Sequence, residues 1–134
     1  MAVTILDAEA VHVLATRWSN KQQRLASLID FDLARRVGTD VAVVPSTVRV
    51  EAGWDRTAPR WAAINRLGIG DHHLDRRSTD VAARLRAEHG VSPADAHIGA
   101  IAHGAGEDRV VVITSDPDDI ATVTAGTTAR IIRL

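Results

Sequence analysis

The chain has 134 residues, a formal net charge of −1 from 16 basic and 17 acidic residues, 46% hydrophobic content and no cysteine. That length fits one domain over residues 1–134 with a real core, and the missing cysteine excludes disulfides, thiolate zinc sites and cysteine catalysis. The balanced charge excludes a broad basic surface for nucleic acid, so any RNA contact is local.

Aromatic residues are scarce (Trp18, Phe31, Trp54 and Trp61), which leaves the core to Val, Ile, Leu and Ala. No apolar run reaches the roughly 18–20 residues of a membrane span. The opening Met1–Asp7 lacks the basic and long apolar regions of a signal peptide, so a cytoplasmic protein is expected.

In chain order, Ala2–Leu6 reads as a buried strand, and Ala8–Thr16 as a helix directly behind it. Lys21–Val37 repeats apolar residues at Leu25, Leu28, Ile29 and Leu33, a helical spacing. Val41–Val44 is a second strand, followed by helices over Ser46–Trp54 and Pro59–Leu67. Ile69–Leu74 is a weaker strand, and helices over Asp75–His89 and Pro93–His103 follow. Val110–Ile113 is a third strong strand, Pro117–Val123 a short helix, and Ala129–Ile132 a last, weaker strand. The strong strands are β-branched and continuous rather than alternating, as in a parallel sheet covered on both faces. Alternation of strand and helix predicts an α/β fold.

Ligands of open α/β sheets bind beyond the carboxyl ends of the strands, where strand order reverses. Asp7 ends the first strand, and Asp116 lies just past the third strong one. Each also reads as a helix N-cap. Asp116-Pro117-Asp118-Asp119 combines a cap, Pro at N1 and an acid at N3, and Ser92-Pro93-Ala94-Asp95 has the same form with Ser as cap. Glu51 lies three residues from both Val48 and Trp54. That spacing predicts an inward face, where a carboxylate needs a cation or a metal, with Arg49 and Arg56 as the neighbouring cations. Four such acids converging on one pocket are hard oxygen ligands suited to Mg2+ or Mn2+, and such ions support phosphodiester cleavage.

At this point the sequence resembles the PIN-domain nucleases, and within them the VapC-type toxins of toxin–antitoxin pairs. The segments that carry the resemblance are Ile5-Leu-Asp-Ala-Glu-Ala10, Val43-Val-Pro-Ser-Thr-Val-Arg-Val-Glu51, Ser92-Pro-Ala-Asp-Ala-His-Ile-Gly-Ala-Ile-Ala102 and Val112-Ile-Thr-Ser-Asp-Pro-Asp-Asp-Ile120. The last is similar to actinobacterial members. The resemblance implies a three-layer α/β/α fold with a four- or five-stranded, mostly parallel sheet in the order 3-2-1-4-5. It implies that Asp7, Glu51, Asp95 and Asp116 form a catalytic metal site, with Thr114 and Asp119 as helpers. It further implies a Mg2+- or Mn2+-dependent endoribonuclease, an RNA substrate, a cognate antitoxin protein and a homodimer. The chain departs from the pattern at Ala8, where many members carry a hydroxyl, at Glu9, and over Arg56–Asp80, which matches only loosely.

Leu14, Trp18, Leu25 and Phe31 on the early helices are candidates for partner or dimer contacts, with core packing the alternative for Leu14 and Leu25. His72 and His73 would point to opposite faces of a strand, and His97 and His103 share no helix face well, so solvated or capping histidines are expected. Ser46 and Ser92 read as N-caps rather than nucleophiles. A phosphotransfer receiver or dehalogenase-like phosphatase would resemble this pattern but wants a late lysine, and the single lysine here is Lys21. The functional alternative is a PIN-fold protein that binds RNA or a partner without cutting.

Overall fold

The computed structural model describes residues 2–16, 20–34 and 41–134. Five strands, β1 (Ala2–Leu6), β2 (Val41–Pro45), β3 (Gly70–His72), β4 (Arg109–Thr114) and β5 (Arg130–Arg133), form one sheet in the order β3-β2-β1-β4-β5. Every neighbouring pair is parallel. The fold class and strand order are those implied by the resemblance. Ile5 and Leu6, Val44 and Pro45, and Val112 and Ile113 are buried neighbours on opposite faces, so the three central strands lose both faces at their carboxyl ends, as their continuous apolar sequences require.

The helices are α1 (Ala8–Ala15), α2 (Asn20–Ala34), α3 (Ser46–Ala52), α4 (Ala62–Asn65), α5 (Arg76–His89), α6 (Pro93–Gly104) and α7 (Pro117–Val123). Residues 35–37 of the second predicted helix lie outside the described residues. α3 stops at Ala52, short of the expected Trp54, because Gly53 takes a left-handed φ of 71° as its C-cap, which glycine adopts without a Cβ penalty. The Pro59–Leu67 segment splits into a 3-10 turn over Pro59–Trp61 and the short α4. Ser46 is the first helical residue rather than the cap: Pro45 occupies that position with no side-chain bond. β3 contracts to three residues, so His73 falls off the strand.

Leu14 and Leu25 are buried in the core. Their assignment as partner contacts is therefore replaced by packing between α1, α2 and the sheet, while Trp18 and the Phe31 side chain lie outside the described residues. No helix among the described residues is long and apolar enough to cross a membrane.

α6 carries the tightest packing. A Cβ on Gly99 would lie 2.7 Å from Leu85 Cδ1, 2.8 Å from Val123 Cβ and 2.9 Å from Val123 O. Gly99 therefore lets α6 approach α5 and α7 closely. Gly104, at the end of the same helix, faces open space. Gly99→Ala is expected to lose about 1–3 kcal/mol of stability through overpacking, whereas Gly104→Ala should be neutral or gain up to about 1 kcal/mol from helix propensity. Urea unfolding of both variants checks this; equal midpoints would show that the α6–α7 contact is loose.

Candidate metal centre

β1 and β4 are adjacent and parallel, with Leu6 opposite Ile113. The residues that follow them therefore emerge together at the carboxyl edge, at the point where strand order reverses. Asp7 is buried, and its carboxylate binds backbone from two elements. Oδ1 accepts from Ala10 N at 2.8 Å at the start of α1, and Oδ2 accepts from Ser115 N at 2.9 Å beyond β4. Its own amide donates to Ile113 O at 3.2 Å. The N-cap reading of Asp7 is thus correct, and the charge of Asp7 also reaches Asp95.

Asp116 likewise caps α7, accepting from Asp119 N at 3.4 Å, while its amide donates to Thr114 Oγ1 at 2.9 Å. Thr114 is buried and uses its hydroxyl to hold Asp116. Asp95 is the third residue of α6, whose cap Ser92 accepts from the Asp95 amide at 3.1 Å. These caps put three carboxylates on one spot. Asp95, Asp116 and Asp119 each offer one oxygen, and the three oxygens lie within 4.8 Å of one another.

The electrostatics follow from that crowding. Asp95 has its pKa raised from 3.8 to about 6 by burial first, then by the charges of Asp119, Asp116, Glu51 and Asp7. Hydrogen bonding to Asp116, and then its charge, also raises the pKa of the exposed Asp119. Like charges this close disfavour joint ionisation unless a cation joins them. Among the described residues no Arg, Lys or His is paired with these three. An all-oxygen, anionic donor set of this kind fits a hard divalent ion such as Mg2+ or Mn2+.

Glu51 differs from its expectation in one respect. It is exposed on α3, not turned inward: the buried face of this helix is made by Val48 and Ala52, and Glu51 lies off it. Its charge still reaches Asp95. Arg49 and Arg56, its expected alternatives as partners, pair instead with Asp71, at 3.0 and 3.1 Å. Both guanidiniums also lie over the Trp54 ring. Burial raises the Asp71 pKa but the two arginines overcome it, and the net shift is downward. Asp71 was not among the sequence candidates, and nothing local marks it, since its partners are 22 and 15 residues away.

The histidines also correct their expectation. His97 is fully buried. Its Nδ1 lies 2.8 Å from Thr47 Oγ1, and its Nε2 lies 3.0 Å from Nδ1 of the half-buried His72. Burial, then the charges of His72 and His73, lower its pKa to about 4, so the imidazole is neutral near pH 7. The expectation failed because helix periodicity cannot show which face of an almost wholly buried helix meets polar neighbours. His103 Nε2 lies 3.0 Å from Val123 O and ties α6 to α7.

No protein-family profile and no curated protein matches the chain. Solved structures do. PAE2754 from Pyrobaculum aerophilum is 22% identical with a TM-score of 0.55, over 96% of this chain and 92% of that one. VapBC2 from Rickettsia felis, solved bound to a DNA fragment from their promoter, is 9% identical with a TM-score of 0.66, over 98% of each chain. The fold is PIN-like. At these identities the likeness speaks for the fold, and the PIN-like sheet places Asp7, Asp95, Asp116 and Asp119 at its carboxyl edge.

The raised Asp95 pKa sets a pH dependence. In the metal-free protein the folded state binds this proton more tightly than the unfolded chain, so stability rises as pH falls from above 6 toward 3.8 and is lost on the way back up. Asp95→Asn removes the repulsion at nearly constant volume. The metal-free variant should exceed wild type by about 1–2 kcal/mol near neutral pH, after allowance for solvent screening, with the gap closing in acid. It should also gain less in melting temperature from added Mg2+. A purely helix-terminal role predicts the reverse, a loss of about 0.3–1 kcal/mol with the Mg2+ response intact.

Proposed function

We propose that this chain is a divalent-metal-dependent endoribonuclease that hydrolyses RNA phosphodiester bonds, and that it acts in the cytoplasm as the toxin of a type II toxin–antitoxin pair. The observation that carries the reading is the cluster of Asp95, Asp116 and Asp119 oxygens, with the charge of the buried Asp7 also acting on Asp95. The likeness to the VapBC2 structure supports the toxin part and a cognate antitoxin as partner; a homodimer is the proposed assembly.

Asp95, Asp116 and Asp119 would hold Mg2+ or Mn2+, with Asp7 behind them and Glu51 completing the site directly or through water. When bound, such an ion lowers the pKa of water and offsets charge developing on the phosphate oxygens. The protein's own part is to preorganise. Both Asp7 oxygens already accept backbone amides, which fixes the carboxylate while each oxygen keeps a further lone pair. Thr114 holds the Asp116 backbone, and Ser92 holds that of Asp95. Glu51 stands outside the three-oxygen cluster and is exposed, so its carboxylate is open to take the proton from the attacking water. Asp71 keeps Arg49 and Arg56 occupied, which leaves Glu51 unneutralised.

Purified protein with Mg2+ or Mn2+ is expected to cut single-stranded or loop RNA, and EDTA should stop it. Glu51→Gln should lower the rate at least about a hundredfold, in the range of general-base loss. Glu88→Gln, whose side chain is 71% exposed on α5, should leave the rate unchanged. Cleavage undiminished in EDTA would sink the metal mechanism. RNA bound but never cut, with Mg2+ present, would favour the non-cutting alternative.

A further inference from the structure

The chain Thr47–His97–His72 has no place in the chemistry above, although it costs the core a buried imidazole. His97 is 0% exposed, and both of its ring nitrogens have partners on other elements, Thr47 on α3 and His72 at the end of β3. A buried polar group in a hydrophobic core is costly unless satisfied. Here satisfaction demands that α3, α6 and β3 sit at one relative position.

That position matters because of what the same helices carry. Thr47 and Glu51 are four residues apart on α3 and so share one face. His97 lies two residues beyond Asp95 in α6. Among the described residues, the Thr47–His97 bond is the direct hydrogen-bonded link between these two helices. The other side-chain bonds of α3 run elsewhere, through Arg49 to Asp71 and to Trp54 O. The α3 helix is seven residues long and lacks a side-chain N-cap; Val48 and Ala52 seat it in the core and Arg49 ties it to β3, while Thr47 is what bonds it to α6.

We propose that Thr47 and His97 are positioning residues: their hydrogen bond sets the placement of Glu51 on α3 relative to Asp95 on α6, and so tunes divalent-ion binding at the acidic cluster. This rests on the nuclease reading for its consequence in catalysis, but its effect on ion binding can be measured without RNA. Val in place of Thr47 removes the hydroxyl at nearly the same shape and leaves a His97 nitrogen unpartnered. Ser in its place keeps the hydroxyl.

The test is Mn2+ binding by titration calorimetry on wild type, Thr47→Val and Thr47→Ser, well below their melting temperatures, with RNA-cleavage kcat measured alongside. Thr47→Val is expected to bind Mn2+ on the order of tenfold more weakly, as outer-shell changes do, and to lose kcat. Thr47→Ser should restore both. A Val variant that only melts earlier, with wild-type Mn2+ affinity and kcat, overturns the inference and leaves the nuclease reading standing. If wild type binds Mn2+ but cuts no RNA, the nuclease reading fails, and the Val-to-Ser difference in affinity alone decides the positioning role. If wild type binds no Mn2+, both fall.

Discussion

The structure depends on one buried carboxylate held by two amides that are far apart in sequence. Asp7 satisfies the first turn of α1 through Ala10 and the backbone after β4 through Ser115. A buried polar group needs such partners, and these two can reach it only if β1 and β4 lie side by side in parallel. The central strand pairing, the entry into α1 and the backbone just before Asp116 are therefore tied by one interaction. Losing it would disturb strand order and site together.

Beyond that pairing, the molecule concentrates like charge. Helix caps do the gathering: Ser92 starts α6 with Asp95 in its first turn, and Asp116 starts α7 with Asp119 in its own. An acid at a helix start is favourable locally because it meets the positive end of the helix dipole. Three acids at two such starts become unfavourable collectively, as the raised pKa values of Asp95 and Asp119 record. The packing of α6 against α5 and α7, close enough to require glycine at Gly99, holds the acids in place against their repulsion. A divalent ion held there would relieve that repulsion, and its binding would then be coupled to fold stability by mass action.

Among the described residues, the arginines nearest in sequence to Glu51 are paired away from this edge. Arg49 and Arg56 are absorbed by Asp71 and stacked on Trp54, and β3 contributes that aspartate although it is only three residues long. The result is a division within α3: Arg49 points to the β3 side and anchors, while Glu51 is left exposed without a guanidinium among the described residues. On the same helix Thr47 meets the neutral His97. A seven-residue element thus carries an ion-pair anchor, a neutral hydrogen-bond anchor and an exposed acid whose charge reaches Asp95.

Much of this was legible from sequence because it is local. The short, β-branched apolar runs Ala2–Leu6 and Val110–Ile113 read as buried parallel strands, and Ser92-Pro-Ala-Asp and Asp116-Pro-Asp-Asp declare their helix starts through capping chemistry that needs only three or four residues. The strand order came from the resemblance, since composition and periodicity do not specify it. Tertiary structure alone decided the rest. It left Glu51 exposed because α3 packs inward through Val48 and Ala52. It gave Arg49 and Arg56 to Asp71, and it buried His97 between Thr47 and His72. Each of these depends on groups distant in sequence, where the energetics are set by which faces meet after folding. A one-dimensional pattern records the period of a helix but not the polarity of what packs against it.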